Sequence, residues 1–105
     1  MESEKIQAVA FEIILASGDG RTLTHEAFQM MRKGDLEGAE KKLEEANEAI
    51  VKAHNAQTKL LHDYAGGEKI EMEIIMVHAQ DHLMTGMTLR EMALEMLELY
   101  KKLEK

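Results

Sequence analysis

Not one of the 105 residues is proline, and glycine occurs only seven times. A backbone without proline loses no helical hydrogen bond to a missing N–H, so helices run until glycine lets the chain turn. Alanine, leucine, methionine, glutamate and lysine dominate what remains. These side chains lose little rotamer freedom in a helix. An all-α fold of a few long helices is the expected outcome, and the glycines mark where each one stops.

Apolar residues at Ile6, Val9, Ala10, Ile13, Ile14, Leu23, Ala27, Met30 and Met31 have helical spacing, and predict a first helix over about 3–33. Gly18-Asp19-Gly20 lies inside it. Two glycines cost about 2 kcal/mol of helix propensity relative to alanine, so the helix either breaks here or is held by a close packing contact. A kinked but continuous helix is the reading adopted. At Lys33-Gly34-Asp35, Gly34 can take the left-handed conformation that ends a helix, and Asp35 can cap the next. Leu36, Ala39, Leu43, Ala46, Ile50, Ala53, Leu60 and Leu61 then form one apolar stripe, giving a second, amphipathic helix over 35–65. Gly66-Gly67 ends it. A third helix is expected over 68–103, with Glu68, Glu71 and Glu73 at its positive end and Lys101, Lys102 and Lys105 at its negative one. Three long helices with tight connections make an antiparallel up-down-up bundle, one domain over 1–105.

The third helix is apolar nearly all round. Ile74, Ile75, Met76, Val77, Leu83, Met84, Met87, Leu89, Met92, Leu94, Met96, Leu97 and Leu99 leave little of its circumference polar. Two neighbours within one bundle cannot cover such a helix, so self-association through it is expected. Ile74, Val77, Asp81, Met84 and Thr88 step along it as a heptad-like seam. A carboxylate in that seam would be repelled by its symmetry mates unless it is protonated, hydrated or shared with a cation.

A formal charge of −7 lacks the basic surface that neutralises phosphates, which argues against a nucleic-acid partner. The absence of cysteine excludes disulfides, thiolate metal sites and a thiol nucleophile. No apolar run approaches the length of a membrane span, and Met-Glu-Ser-Glu-Lys is unlike a signal peptide. A soluble, cytoplasmic protein is expected.

Chemistry concentrates in one place. On a helix, His78 and His82 stand one turn apart on one face, with Gln80 and Asp81 between them. Polar groups in so apolar a neighbourhood need partners or a task. Three readings fit the residues alone: histidines satisfied structurally at a helix interface; a transition-metal site with His54 or His62 as a third ligand; or phosphoryl transfer through a histidine nucleophile. In the last, the second imidazole and the Gln80 amide would orient the ring or bind the transferring oxygens. Spacing does not choose among them.

The segment Val77-His78-Ala79-Gln80-Asp81-His82-Leu83-Met84-Thr85 resembles the active-site signature of the enzyme IIA component of the lactose/cellobiose phosphotransferase system. Further likenesses follow in order: Ala10-Phe11-Glu12-Ile13, Ser17-Gly18-Asp19, Gly34-Asp35, Ala53-His54-Asn55-Ala56-Gln57-Thr58 and Leu97-Glu98-Leu99-Tyr100-Lys101. The resemblance implies a homotrimer of three-helix bundles in which His78 accepts a phosphoryl group from the phosphocarrier HPr. It passes that group to a cysteine of the IIB component, which serves a membrane component, IIC. His82 and Gln80 match positions lining that site. Asp81 matches a position where three carboxylates meet on the trimer axis around one divalent cation, for which magnesium suits oxygen ligands. The sugar stays open among lactose, cellobiose, chitobiose and related β-glucosides, with cellobiose or chitobiose preferred, because the membrane component recognises it. The chain departs from the family pattern at Ala79, where glycine is expected, and at Ser17, where alanine is commoner. His54 and Gln57 are assigned to packing between helices, and His25 and His62 to the surface.

Overall fold

The computed structural model describes residues 1–104, with Lys105 outside the described residues; they form three helices of 30 residues each: α1 (Ser3–Arg32), α2 (Leu36–Ala65) and α3 (Ile74–Leu103). A helix of this length spans about 45 Å, and the whole bundle measures 56 × 20 × 18 Å, so all three lie side by side. Gly20 faces Ile50, and Glu26 pairs with Lys42, which makes α2 antiparallel to α1. Ser17 meets His82 and Arg21 meets Thr85, so α3 runs parallel to α1. The order is up-down-up, as expected. Among the described residues there is no strand, and no helix is long and apolar enough to cross a membrane.

Both glycine turns close helices in the same way. Gly34 (φ +86°) and Gly67 (φ +100°) occupy the left-handed region. At the first turn the Asp35 amide donates to the Met30 carbonyl and the Gly34 amide to Met31; at the second, Glu68 donates to Asp63 and Gly67 to Tyr64. These are paired Schellman bonds, which satisfy carbonyls the helix end leaves open. Asp35 then caps α2, its carboxylate accepting from the Gly38 amide at 2.9 Å.

The third helix starts later than the sequence suggests. Residues 68–73 are not helical, and α3 begins at Ile74 behind an extended Glu73. Its first turn therefore carries no acidic side chain, and the expected placement of Glu68 and Glu71 at its positive end does not hold. The connection is not tight either. After the Gly66-Gly67 turn the chain runs to α3 without regular secondary structure, and Ile70 packs against the core on the way. Burial of that side chain competes with helix propensity and prevails.

Seventeen apolar residues form the core, and eight of them are alanine: 10, 16, 27, 39, 46, 53, 79 and 93. Small side chains let the helix axes approach closely. The core divides into two clusters, a larger one around Ile13, Ile50 and Leu83 and a smaller one around Met31, Leu43 and Leu97. Between them lies a waist of small and polar groups, including Ser17, Gly20, Thr24 and Gly86. Ser17 and Thr24 are fully buried, and each hydroxyl donates back to its own helix, to the Ile13 and Gly20 carbonyls. Ala79, where the resemblance leads one to expect glycine, places its methyl in the larger cluster with no exposed surface.

α1 is continuous through Gly18-Asp19-Gly20, and Gly20 shows why. A Cβ there would lie 2.6 Å from Ile50 Cγ1 and 3.3 Å from the Ala46 carbonyl oxygen, whereas one on Gly18 would meet only His82 Cε1 at 3.6 Å. The two glycines should therefore answer alanine with opposite signs. Gly18→Ala gains helix propensity, up to about 1 kcal/mol. Gly20→Ala gains the same but must displace Ile50, an overpacking cost of about 1–3 kcal/mol. Thermal denaturation should show Gly18→Ala at least as stable as the unaltered protein and Gly20→Ala less stable. Equal shifts would show that α1 and α2 do not meet this closely.

Candidate active site

The larger core cluster ends at the surface where α1 and α3 run side by side, and the two histidines emerge there. His78 is exposed and His82 half-buried, with ring centroids 5.6 Å apart and planes tilted by 54°. The helix places them one turn apart, but their environments differ because α1 covers only His82. Its Nδ1 lies 2.9 Å from the Ser17 hydroxyl oxygen, and Gly18 leaves room for the ring edge beside it.

Arg21, one turn beyond Ser17, donates to Thr85 Oγ1 at 2.7 Å, and that hydroxyl donates at 2.7 Å to the Asp81 carbonyl. The guanidinium is thereby held along the helix that carries the histidines. The His82 pKa is lowered from 6.5, first by burial, then by the positive charge of Arg21 and by His78, with Asp81 opposing. Both leading causes disfavour the imidazolium.

Gln80 is fixed from the other side. Gln57 of α2 donates through Nε2 to Gln80 Oε1, which occupies the amide oxygen. The Gln80 amide nitrogen donates to a weak sulfur acceptor, Met76 Sδ at 3.4 Å. Asp81 is exposed between Val77 and Met84, and among the described residues its carboxylate takes no hydrogen bond or ion pair within the chain. The structure thus brings His78 and His82 together on the α1 side of α3, holds Gln80 on its α2 side, and leaves Asp81 in the exposed apolar seam.

Two expectations need correcting. Gln57 does more than pack, since it orients the Gln80 amide. His54 is exposed, with only Thr58 Oγ1 near its Nδ1 at 3.5 Å, so it does not pack between helices. His25, beside Phe28 with centroids 6.3 Å apart, and His62 are surface residues as expected. Neither His54 nor His62 joins the histidine pair: among the described residues no three His, Cys, Asp or Glu side chains stand close enough to hold a metal within one chain. Sequence reading missed the contributions of Ser17, Arg21 and Thr85. The available signal was a run of small polar residues where a packed helix would otherwise carry apolar ones.

Residues 8–101 match the family model described as PTS system, Lactose/Cellobiose specific IIA subunit. The chain belongs to the lactose/cellobiose-specific IIA family. It is 50% identical over 101 residues to the lichenan-specific phosphotransferase enzyme IIA component of Bacillus subtilis (strain 168), a match covering 96% of this chain and 92% of the relative. The crystal structure of PtcA from S. mutans superposes with a TM-score of 0.95 at 62% identity, covering 96% of this IIA chain and 99% of that one. The solution structure of the IIA(Chitobiose)–HPr complex of the Escherichia coli phosphotransferase system gives 0.81 at 35% identity, with both chains fully covered. The family agrees with the resemblance carried by the residues around His78, and the fold with its bundle.

Because the folded IIA resists protonating His82, the unfolded chain takes up that proton first as pH falls below 6.5. The contribution of His82 to stability is present above 6.5 and is lost as pH falls through its lower folded value. An NMR titration should place His82 below 6.5. Arg21→Gln should raise that value without restoring 6.5, since burial remains. No response to Arg21→Gln would remove the guanidinium from the account.

Proposed function

We propose that this IIA is a phosphohistidine carrier: His78 accepts a phosphoryl group from HPr and donates it to the IIB component of a β-linked disaccharide transporter, of the cellobiose or chitobiose class. The observation that carries this reading is an exposed imidazole at the family's signature, next to a second imidazole that Ser17 of α1 holds. The complex of a relative with HPr supports the donor. His78 attacks phosphorus with the lone pair of one ring nitrogen as the donor's N–P bond breaks, and the electron pair leaves with the donor imidazole. The nearby charge of Arg21 favours the anionic group as it arrives. The work is done in the cytoplasm, where both partners are soluble.

The exposed face of α3 supports a homotrimer. Ile74 is 89% exposed, Val77 53% and Met84 52%, and Met92 and Leu99 continue the stripe. One chain cannot cover it. Asp81 stands in that stripe without an internal partner, so three copies on an axis would place like charges together, and one hard divalent cation such as magnesium would offset their repulsion. Oxygen donors of this kind fit magnesium better than zinc. The ion's task would be structural, neutralising the axis. The reading of a one-chain His/Asp metal site lacks a third ligand among the described residues.

Incubation with enzyme I, HPr and phosphoenolpyruvate should add one phosphoryl group by intact mass, stable to base and labile in acid. His78→Ala should add none, and His82→Ala should accept it more slowly. Full phosphorylation of His78→Ala would sink the assignment.

Light scattering at micromolar concentration should give a trimer whose melting temperature falls on chelation and recovers with magnesium. Asp81→Leu should abolish that response while leaving a trimer at least as stable that still phosphorylates His78. A stable monomer would overturn the seam, and a chelator-insensitive trimer would overturn the cation.

A further inference from the structure

Ser17 is the one buried hydroxyl that touches the histidine pair. Its side chain is wholly enclosed in the waist of the bundle, so water does not contribute to its hydrogen bonding. A serine hydroxyl has a single proton. Here the shortest acceptor is the Ile13 carbonyl at 2.6 Å, with the Ile14 carbonyl at 3.3 Å on the same side. Both are carbonyls and can only accept. With the proton committed to its own helix, the Ser17 oxygen can meet His82 Nδ1, 2.9 Å away, only as an acceptor. Nδ1 must then carry the hydrogen.

We infer that Ser17 is a positioning residue that locks neutral His82 in its Nδ1–H tautomer, leaving Nε2 as the only ring nitrogen with a lone pair. The second nitrogen of an imidazole takes the role its first hydrogen bond leaves over. A free histidine side chain favours the opposite tautomer, so the contact reverses an intrinsic preference. With Nδ1 tied to α1, any hydrogen bond between the two imidazoles must use His82 Nε2 as acceptor. Ring centroids 5.6 Å apart bring such a bond within reach of a modest ring rotation, and catalytic contacts of this kind commonly tighten when the partner binds. His78 then holds its own hydrogen on the nitrogen turned toward His82 and its lone pair on the other. The outward nitrogen is the one that forms the N–P bond. His82 neither gains nor loses a proton in that step; the relay from the Ile13 carbonyl through Ser17 and His82 fixes which His78 nitrogen is nucleophilic.

This inference rests on the carrier reading for its consequence but not for its geometry, and the test separates the two. Two-bond proton–nitrogen correlation spectra of the uniformly labelled, unphosphorylated protein, taken above the His82 titration, should show the Nδ1–H pattern for His82. Ser17→Ala, which keeps a small helix-forming side chain, should lose that pattern. So should Ser17→Cys, which fills the space with a weak acceptor. Both should slow phosphorylation of His78 by phospho-HPr about 3- to 10-fold, the range expected for one lost hydrogen bond. Ser17→Ala should add nothing to the loss in a His82→Ala background, since both act through one ring. An Nε2–H pattern in the unaltered protein, or a Ser17→Ala protein with its tautomer or its rate unchanged, would overturn the proposal. If the unaltered protein shows the Nδ1–H pattern yet takes up no phosphoryl group, the tautomer lock stands and the carrier reading falls.

Discussion

The structure depends on how closely α1 approaches its two neighbours at mid-length. Gly20 brings its backbone against Ile50 and the Ala46 carbonyl, and Ser17, less than one turn earlier, reaches His82 on α3. Both contacts need small side chains, and they lie on adjacent faces of one helix. A bulkier residue at Gly20 would push α2 away. If α1 were pushed away from α3 instead, His82 would lose the partner that fixes its ring. The glycine that weakens the helix locally is thus part of the close packing that holds the His82 ring in place. Propensity lost within α1 is offset by packing between helices, which is where most helical stability in proteins originates.

The site is built from three helices, each with a separate task. α3 carries the exposed imidazole and the amide. α1 supplies the hydroxyl and the guanidinium that condition His82, and α2 supplies the amide of Gln57, which occupies the oxygen of Gln80. His78 stays accessible because α1 covers one ring and not the other. On the carrier reading proposed above, a protein that meets two partners needs its reacting atom on an open surface, so orientation has to come from behind. That arrangement differs from an enclosed pocket, where the walls also exclude water.

Much of this was legible in the residues. Apolar periodicity located α1 and α2, and Gly34-Asp35 and Gly66-Gly67 marked helix ends because positive φ leaves few alternatives. The start of α3 was not legible. Glu68, Glu71 and Glu73 suit a helix N-terminus, yet Ile70 packs against the core from a non-helical segment, and a contact between distant segments leaves no periodic trace. The site divides along the same line. His78 and His82 share a helix face and could be paired from spacing, whereas Gln80 turns to α2. Ser17 and Gln57 belong to other helices, and their partners depend on the registers of α1 and α2 against α3, which spacing within a helix does not encode. His54 shows the reverse error, a motif residue whose place in the pattern suggested packing while its side chain faces water.

The waist that parts the two apolar clusters has a consequence for how the molecule breathes. Cooperative opening follows contiguous buried surface, and here that surface is interrupted by polar and small groups at mid-length. The end built on Met31, Leu43 and Leu97 can loosen while the end bearing the histidines stays closed. Slowly exchanging backbone amides should then fall into two populations, one for each cluster, and the far end becomes the natural place for a label, a fusion or a redesigned core that leaves the histidine pair undisturbed.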